Sequence, residues 1–222
     1  MATIYCFTST GNSLYTAGKL AGKIGGKVEP MRNGPARCDD DVIGFVFPVY
    51  YWGLPRMVAR FVSAVKITDE NAYVFAVATS GGAPFGALGQ LKALLSQKGP
   101  RLRFGTTIRS VSNYLIEYAP KDSDALRRSI EEKIEGAAAA VNRRETNRVQ
   151  GFTPVNRIAY RLFPDEGSDR HFTIAPACTG CGTCGKVCPV RNIRMREGKP
   201  EFQQKCEHCL GCLQNCPARA ID

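Results

Sequence analysis

The sequence predicts an α/β fold, a five-stranded parallel doubly wound sheet, with a small α+β domain following it. Three observations carry that prediction. Short apolar runs alternate with amphipathic helical stretches through residues 1–149, the pattern of strands and helices on a parallel sheet. Loops rich in hydroxyls, glycine or aromatics follow the first, third, fourth and fifth runs, so all of them fall on the carboxyl edge of the sheet, where such folds bind ligands. Eight of the ten cysteines are confined to residues 178–216, which sets residues 173–222 apart as a second domain, with residues 150–172 as a linker. A segment of about 50 residues buries too little surface to fold on apolar contacts alone, so it must lean on what its cysteines hold.

Taken in order, Thr3 to Phe7 is a buried strand, followed by a helix with Leu14, Ala17, Ala21 and Ile24 on one face and Gly25 and Gly26 as its stop. Lys27 to Pro30 is an edge strand, and Val42 to Phe47, apolar throughout, is central. Met57, Val58, Phe61, Val62 and Val65 cover the sheet from the next helix. Tyr73 to Ala78 is the fourth strand, and Leu88, Leu91, Leu94 and Leu95 mark a helix running to Gly99 and Pro100. Thr106 to Val111 is the fifth strand, before a last helix that starts at Asp122 or Ser123 and turns Ile130, Ile134, Ala137 and Val141 inward. The linker, with Phe152, Val155, Ile158, Tyr160, Leu162 and Phe163, carries one short apolar helix. Phe172 to Pro176 is a small strand whose expected partners are Glu201–Phe202 and Ala220–Ile221.

Between the first strand and its helix stand Thr8, Ser9, Thr10, Gly11, Asn12 and Ser13. Backbone N–H groups, the positive end of a helix dipole and several hydroxyls converge there, which makes an anion site. G-x-G-x-x-G and the Walker lysine are both missing, so a terminal monophosphate that is bound and not transferred fits best; an ordinary N-cap is the plainer alternative. The third strand ends at Pro48, Tyr50, Tyr51, Trp52 and Gly53, where consecutive aromatics offer a face to a flat ring or merely form a local apolar cap. Thr79, Ser80, Gly81, Gly82 and Phe85 follow the fourth strand, and Asn113 and Tyr114 the fifth. With Thr8, Thr10, Gly11 and Ser13 after the first strand, the chain resembles the flavodoxins. That resemblance implies noncovalent FMN bound by these four loops.

The cysteines run Cys178, Cys181, Cys184, Cys188-Pro189 and then Cys206, Cys209, Cys212, Cys216-Pro217, which is C-x2-C-x2-C-x3-C-P written twice. This is the spacing of bacterial two-cluster ferredoxins, in which the fourth cysteine of each run ligates the other cluster. The assignment is Cys178, Cys181, Cys184 and Cys216 to one 4Fe–4S cluster, and Cys206, Cys209, Cys212 and Cys188 to the second. Zinc knuckles do not repeat this eight-cysteine pattern, and disulfides would need an oxidising compartment that nothing here suggests. Cys6 reads as a small buried hydrophobe and Cys38 as an exposed thiol in a polar loop. His208, between two cluster ligands, either faces solvent or shifts a cluster potential as it titrates.

The formal charge of +10 falls to roughly +4 once two clusters and a flavin phosphate are bound. Arg127, Arg128, Arg143, Arg144 and Arg148, read as one helix face, are a solvated surface or a dock for an acidic redox partner; no nucleic-acid motif accompanies them. The uncharged run from Asn71 to Leu91 is broken by Ser80 to Pro84, so no membrane span is expected, and neither is a secretory signal. The expected setting is the cytoplasm of a reducing, oxygen-poor cell. As a whole the chain resembles fusions of a flavodoxin-like FMN domain with a bacterial-type two-cluster ferredoxin. The expected function is electron transfer among a low-potential donor, two 4Fe–4S clusters, FMN and a redox partner protein. An FMN-dependent oxidoreductase acting on a small-molecule acceptor and a cluster-based redox sensor remain the alternatives.

Overall fold

The computed structural model of the chain describes residues 1–33, 37–113, 123–151, 153, 154, 158 and 168–222. The apolar runs become β1 (Ala2–Cys6), β2 (Gly26–Pro30), β4 (Val42–Pro48), β6 (Tyr73–Ser80) and β7 (Leu102–Arg109), with a two-residue β3 (Arg37–Cys38) and β5 (Lys66–Ile67) paired apart from the main sheet. All main-sheet pairings are parallel, in the order β2-β1-β4-β6-β7. Counted along the sheet's own strands this is 2-1-3-4-5, the flavodoxin-like doubly wound order, and its switch point lies between β1 and β4.

Both faces of the sheet are covered, which is why the central strands are apolar at nearly every position. On one face Tyr5, Phe45, Phe47, Val74 and Ala76 pack under α2 (Arg56–Ala64) and α3 (Ala87–Ser96). On the other, Ile4, Cys6, Val46, Phe75 and Val77 pack under α1 (Asn12–Ile24) and α4 (Asp124–Asn142). Gly44 lies so close to the Phe75 ring that an added Cβ would come within 2.5 Å of it, so the sheet itself demands glycine there. Gly25 closes α1 in the left-handed conformation, its N–H bonding the Ala21 carbonyl.

Several expectations need correction. Leu14 points outward at 51% exposure; the inward face of α1 is Ser13, Thr16, Ala17, Leu20 and Ala21. The helix is rotated because Ser13 turns down to bond Thr79. The fifth strand begins at Leu102, not Thr106, and ends at Arg109, with a register shift where Leu102 pairs with Val74. Cys38 is 3% exposed, since β3 pairs with β5 and turns the thiol into the core. α4 starts after Ser123, whose hydroxyl accepts the Leu126 N–H, and ends at Asn142, so Arg148 lies beyond it. Arg143 pairs with Glu145 and Arg144 with Asp41, which leaves no continuous arginine face on that helix. Asp122 and, in the linker, Phe152, Val155, Tyr160, Leu162 and Phe163 lie outside the described residues.

The C-terminal segment is small and double. The hairpin of β8 (Ile193–Arg196) and β9 (Lys199–Phe202) turns through Glu197 and Gly198, both at positive φ (49° and 74°), as a tight two-residue turn requires. β9 therefore pairs with β8 and not with the strand at Phe172, against expectation; Phe172 touches Phe202 only edge-on, at 5.5 Å. The other expected pairing is present: Ile174 bridges Ile221, and Thr173 and Asp222 exchange backbone bonds of 2.7 and 3.2 Å. α5 (Thr183–Val187) and α6 (Gly211–Gln214) follow the two cysteine loops. The buried Asp169 carboxylate knits this domain, accepting from Asn192 Nδ2 at 2.7 Å and from the Gln204 N–H at 3.1 Å.

Candidate functional site

The loop from Thr8 to Ser13 lies at the carboxyl end of β1 and opens α1. Its cap residue, Gly11, has φ +104°, no side chain caps the first turn, and the space where a Cβ would project is open. Those exposed backbone donors, with the Thr8 and Thr10 hydroxyls beside them, suit a phosphate. Thr8 accepts the Gly11 N–H at 3.1 Å, and Asn113 donates to Thr10, which brings the loop after the fifth strand to the same place. Two of the predicted residues face inward as struts. Ser13 bonds Thr79 at 2.8 Å in the core, and Asn12 Nδ2 donates to the Val111 carbonyl at 2.8 Å.

Beyond Pro48, the backbones of Tyr50 and Gly53 bond one another at 3.1 and 2.8 Å, so Tyr51 and Trp52 occupy the tip of a tight turn at φ 45° and 58°. A bulky residue in that region costs on the order of 1–3 kcal/mol, and such strain concentrates at ligand sites. Phe85, also at positive φ (33°), meets Trp52 edge-on at 5.8 Å, and the Gly86 N–H bonds the Trp52 carbonyl at 3.2 Å. Trp52 is 45% and Phe85 60% exposed. Tyr50 does not join them. It turns inward, with its hydroxyl 2.7 Å from Ser9 Oγ and its ionisation pushed well above the ordinary value by burial. Ser80 accepts the Gly82 N–H at 3.3 Å, and Gly81 packs so tightly on Ser112 that a Cβ would lie 2.7 Å from its side chain. Tyr114 is outside the described residues. The residues present fit a phosphorylated flat ring: donors at one end, three strained aromatics at the other, one sheet edge between.

The cysteine loops are built in the same way twice. The fourth cysteine of each run accepts an N–H four residues on: Asn192 to Cys188 at 3.2 Å and Ala220 to Cys216 at 3.3 Å. Cys206 accepts from the His208 N–H at 3.2 Å. Donors aimed at sulfur are what thiolate-bound clusters require. Burial, first of all, raises Cys206 and Cys212 to about 12 and Cys209 to about 11, and the charge of Cys188 adds to both Cys209 and Cys212. Cys188, from the first run, thus lies within electrostatic reach of Cys209 and Cys212. Burial likewise raises Cys184, with Cys178 and Cys181 contributing, whereas the exposed Cys181 is lowered by the hydroxyl of Thr183. Cys216 packs with Cys184, Cys212, Ile193 and Ile221. Among the described residues no three His, Cys, Asp or Glu side chains converge on a single metal ion. A four-iron cube does not need that, because each iron takes its own cysteine.

The two halves meet along a seam that no run of consecutive residues announces. The Ser9 hydroxyl donates to the Cys209 carbonyl at 3.4 Å, and a Cβ on Gly211 would lie 3.3 Å from the Ser9 carbonyl. Gln214 donates to the Asn113 carbonyl at 2.6 Å. Glu207 caps α2, accepting the N–H groups of Arg56 at 2.9 Å and Met57 at 2.6 Å, with Arg60 at 3.3 Å. His208 does not simply face solvent: its Nδ1 is 2.8 Å from the Tyr51 hydroxyl, and its ring stacks on Phe172 at 5.4 Å. Burial, foremost, lowers its pKa.

Residues 172–217 match the family described as a 4Fe-4S dicluster domain. A subunit of the ion-translocating oxidoreductase complex of Methanosarcina acetivorans is 39% identical over 59 residues, 26% of this chain. The chain spans only 22% of that relative's length. Among solved structures, a flavone reductase aligns over 96% of this chain and 87% of its own at 12% identity and TM-score 0.44. The Trp repressor binding protein from Bacillus subtilis aligns over 67% and 99%, at 12% identity and TM-score 0.40. No helix among the described residues is long and apolar enough to cross a membrane. By its sheet order and its cysteine-rich match, the chain joins a flavodoxin-like α/β fold to a 4Fe–4S ferredoxin-type domain.

Proposed function

We propose that this chain is an electron-transfer iron–sulfur flavoprotein holding two 4Fe–4S clusters and FMN. One observation carries the reading: the loop of Cys206, Cys209 and Cys212 rests on the phosphate loop, with Cys209 bonded to Ser9. Clusters supply one-electron steps and FMN stores one or two electrons, so together they turn single electrons into pairs. The protein's share is placement. Cys206, Cys209, Cys212 and Cys188 hold the cluster next to the flavin site; Cys178, Cys181, Cys184 and Cys216 hold the outer one. Thr8, Thr10, Gly11 and the first turn of α1 hold the phosphate, while Tyr51, Trp52 and Phe85 flank the ring. Ser9, bonded to both Tyr50 and Cys209, bridges the seam between the sites. Cysteines that must stay reduced suit the cytoplasm.

Anaerobic purification with iron, sulfide and flavin counts tests this reading. About eight irons and one FMN per chain are expected, with stoichiometric reduction of both chromophores by dithionite. About four irons, or no flavin after reconstitution, would refute it. The exposure of Trp52 and Phe85 favours a second reading, reduction of a small molecule at the open edge of the ring. Turnover with soluble quinones or flavones and no protein acceptor would favour that reading over the carrier.

A further inference from the structure

The proposed clusters are not equivalent: one is pressed into the α/β fold, and the other faces outward under a basic hairpin. We infer that the exposed face of the β8–β9 hairpin, beside Cys181, is the docking surface for an acidic one-electron carrier protein that delivers electrons to the outer cluster; the inference rests on the electron-transfer reading above. Both neighbours of Cys181 touch the hairpin. A Cβ on Gly180 would lie 2.5 Å from the Gly198 carbonyl, and one on Gly182 would lie 3.7 Å from Met195 Cγ. Cys181 is exposed, whereas Cys209 is half-buried in a loop whose backbone bonds Ser9.

The register places Arg194 opposite Glu201 and Arg196 opposite Lys199, so these four share one face. Lys186, on the helix that contacts β8, and Arg191, just before β8, add to the local positive charge, and all five cations are exposed. Among the described residues the Glu201 carboxylate pairs with Arg196, at 3.7 Å, and with the exposed Glu197 at the turn the hairpin still keeps a net positive charge. Met195, 39% exposed on the opposite face, adds an apolar contact at the edge of the cysteine loop. A cluster of cations on one face of the hairpin, with an exposed cluster ligand at the loop the hairpin touches, is the complement of an acidic redox protein. Nucleic acid would also meet cations, but it would give the exposed cysteine no role. The α4 arginines are poorer candidates, since Arg143 and Arg144 are paired within the chain.

The test uses the anaerobically purified holoprotein and a dithionite-reduced acidic bacterial ferredoxin, followed by stopped-flow absorbance and by calorimetry of binding. The bimolecular rate is expected to fall steeply as salt rises, and Arg194→Glu/Arg196→Glu/Lys199→Glu to cut it at least tenfold at low salt and flatten that slope. Reduction by methyl viologen, iron content and flavin content stay unchanged. Arg194→Gln/Lys199→Gln, a gentler change, gives an intermediate loss, and Arg127→Glu/Arg128→Glu gives none. A salt-independent rate, an unaffected hairpin variant, an equal loss from the α4 variant, or preferential binding of single-stranded RNA would each overturn the docking surface. If viologen-reduced clusters fail to reduce flavin, the electron-transfer reading fails instead, whatever the calorimetry shows.

Discussion

Removing the Glu207 carboxylate should loosen the seam between the two folds by a predictable amount. Its side chain is 5% exposed and spans from a cysteine loop to α2, whose cap position is Pro55 and has no side-chain cap of its own. Glu207→Ala strips the carboxylate from two N–H groups, Arg56 and Met57. Loss of an N-cap costs about 0.5–2 kcal/mol, and a bond to a charged group is worth about 1.5–3 kcal/mol. The Arg60 contact adds less than about 1 kcal/mol, because that side chain is 55% exposed. Burial raises the pKa of Glu207, so its bonds do not fully repay its desolvation and truncation recovers part of that cost. The expected net loss is about 2–3 kcal/mol, a shift of roughly thirty- to one-hundred-and-fifty-fold toward the undocked form. Glu207→Gln keeps one acceptor but sets an NH2 against the other donor, for about 1–2 kcal/mol. Arg60→Ala should cost least. Amide hydrogen exchange at Arg56 and Met57, with guanidinium unfolding followed by circular dichroism, reads these differences. An unchanged midpoint for Glu207→Ala, or a larger loss for Arg60→Ala, would refute the reasoning.

Gly180→Ala should displace the outer cysteine loop, because φ is +70° and the new Cβ would sit 2.5 Å from a backbone carbonyl that cannot rotate away; iron analysis should fall toward about four per chain. Ser13→Ala leaves the buried Thr79 hydroxyl without its partner, and thermal unfolding should show a loss of about 1–2 kcal/mol. Tyr73 and Cys6 are each raised to about 12, chiefly by burial, from ordinary values of 10.0 and 9.0. Both are acids whose neutral form the fold favours, so their contribution is intact below those ordinary values and is lost as pH climbs toward about 12. Melting temperature should therefore drop across that alkaline interval, together with late tyrosinate absorbance; a flat profile would contradict it.

The parts of the fold that were legible in the sequence are those set by local physics. β4 and β6 are apolar at nearly every position because both sheet faces are covered, and α2 shows its inward residues at helical spacing. The misreadings arose where a tertiary partner overrode local pattern. Leu14 is the most apolar residue in the first turn of α1, yet a polar bond from Ser13 to Thr79 decides which side faces in. Cys38 sits in a polar stretch and is buried only because β5, nearly thirty residues on, pairs with it. The start of the fifth strand was hidden because Arg101 and Arg103 flank Leu102 at a half-exposed sheet edge.

The candidate site divides along the same line. A phosphate loop and a cysteine run are written in consecutive residues, since a turn or a cubic cluster dictates spacing within about a dozen positions. The seam carries no such signature: Ser9 and Cys209 are 200 positions apart, and Met57 and Glu207 are 150 apart. One clue was nonetheless available. Glu207 and His208 interrupt a cysteine loop whose counterpart, between Cys178 and Cys181, holds only Thr179 and Gly180. A duplicated loop has no internal reason to carry a carboxylate and an imidazole in one copy alone. The asymmetry becomes intelligible once that copy has a neighbour, because Glu207 caps α2 and His208 meets Tyr51. The unequal filling of two otherwise equal loops therefore marks which one faces the flavin site, and it leaves the small-residue loop at Cys181 as the one turned to the outside.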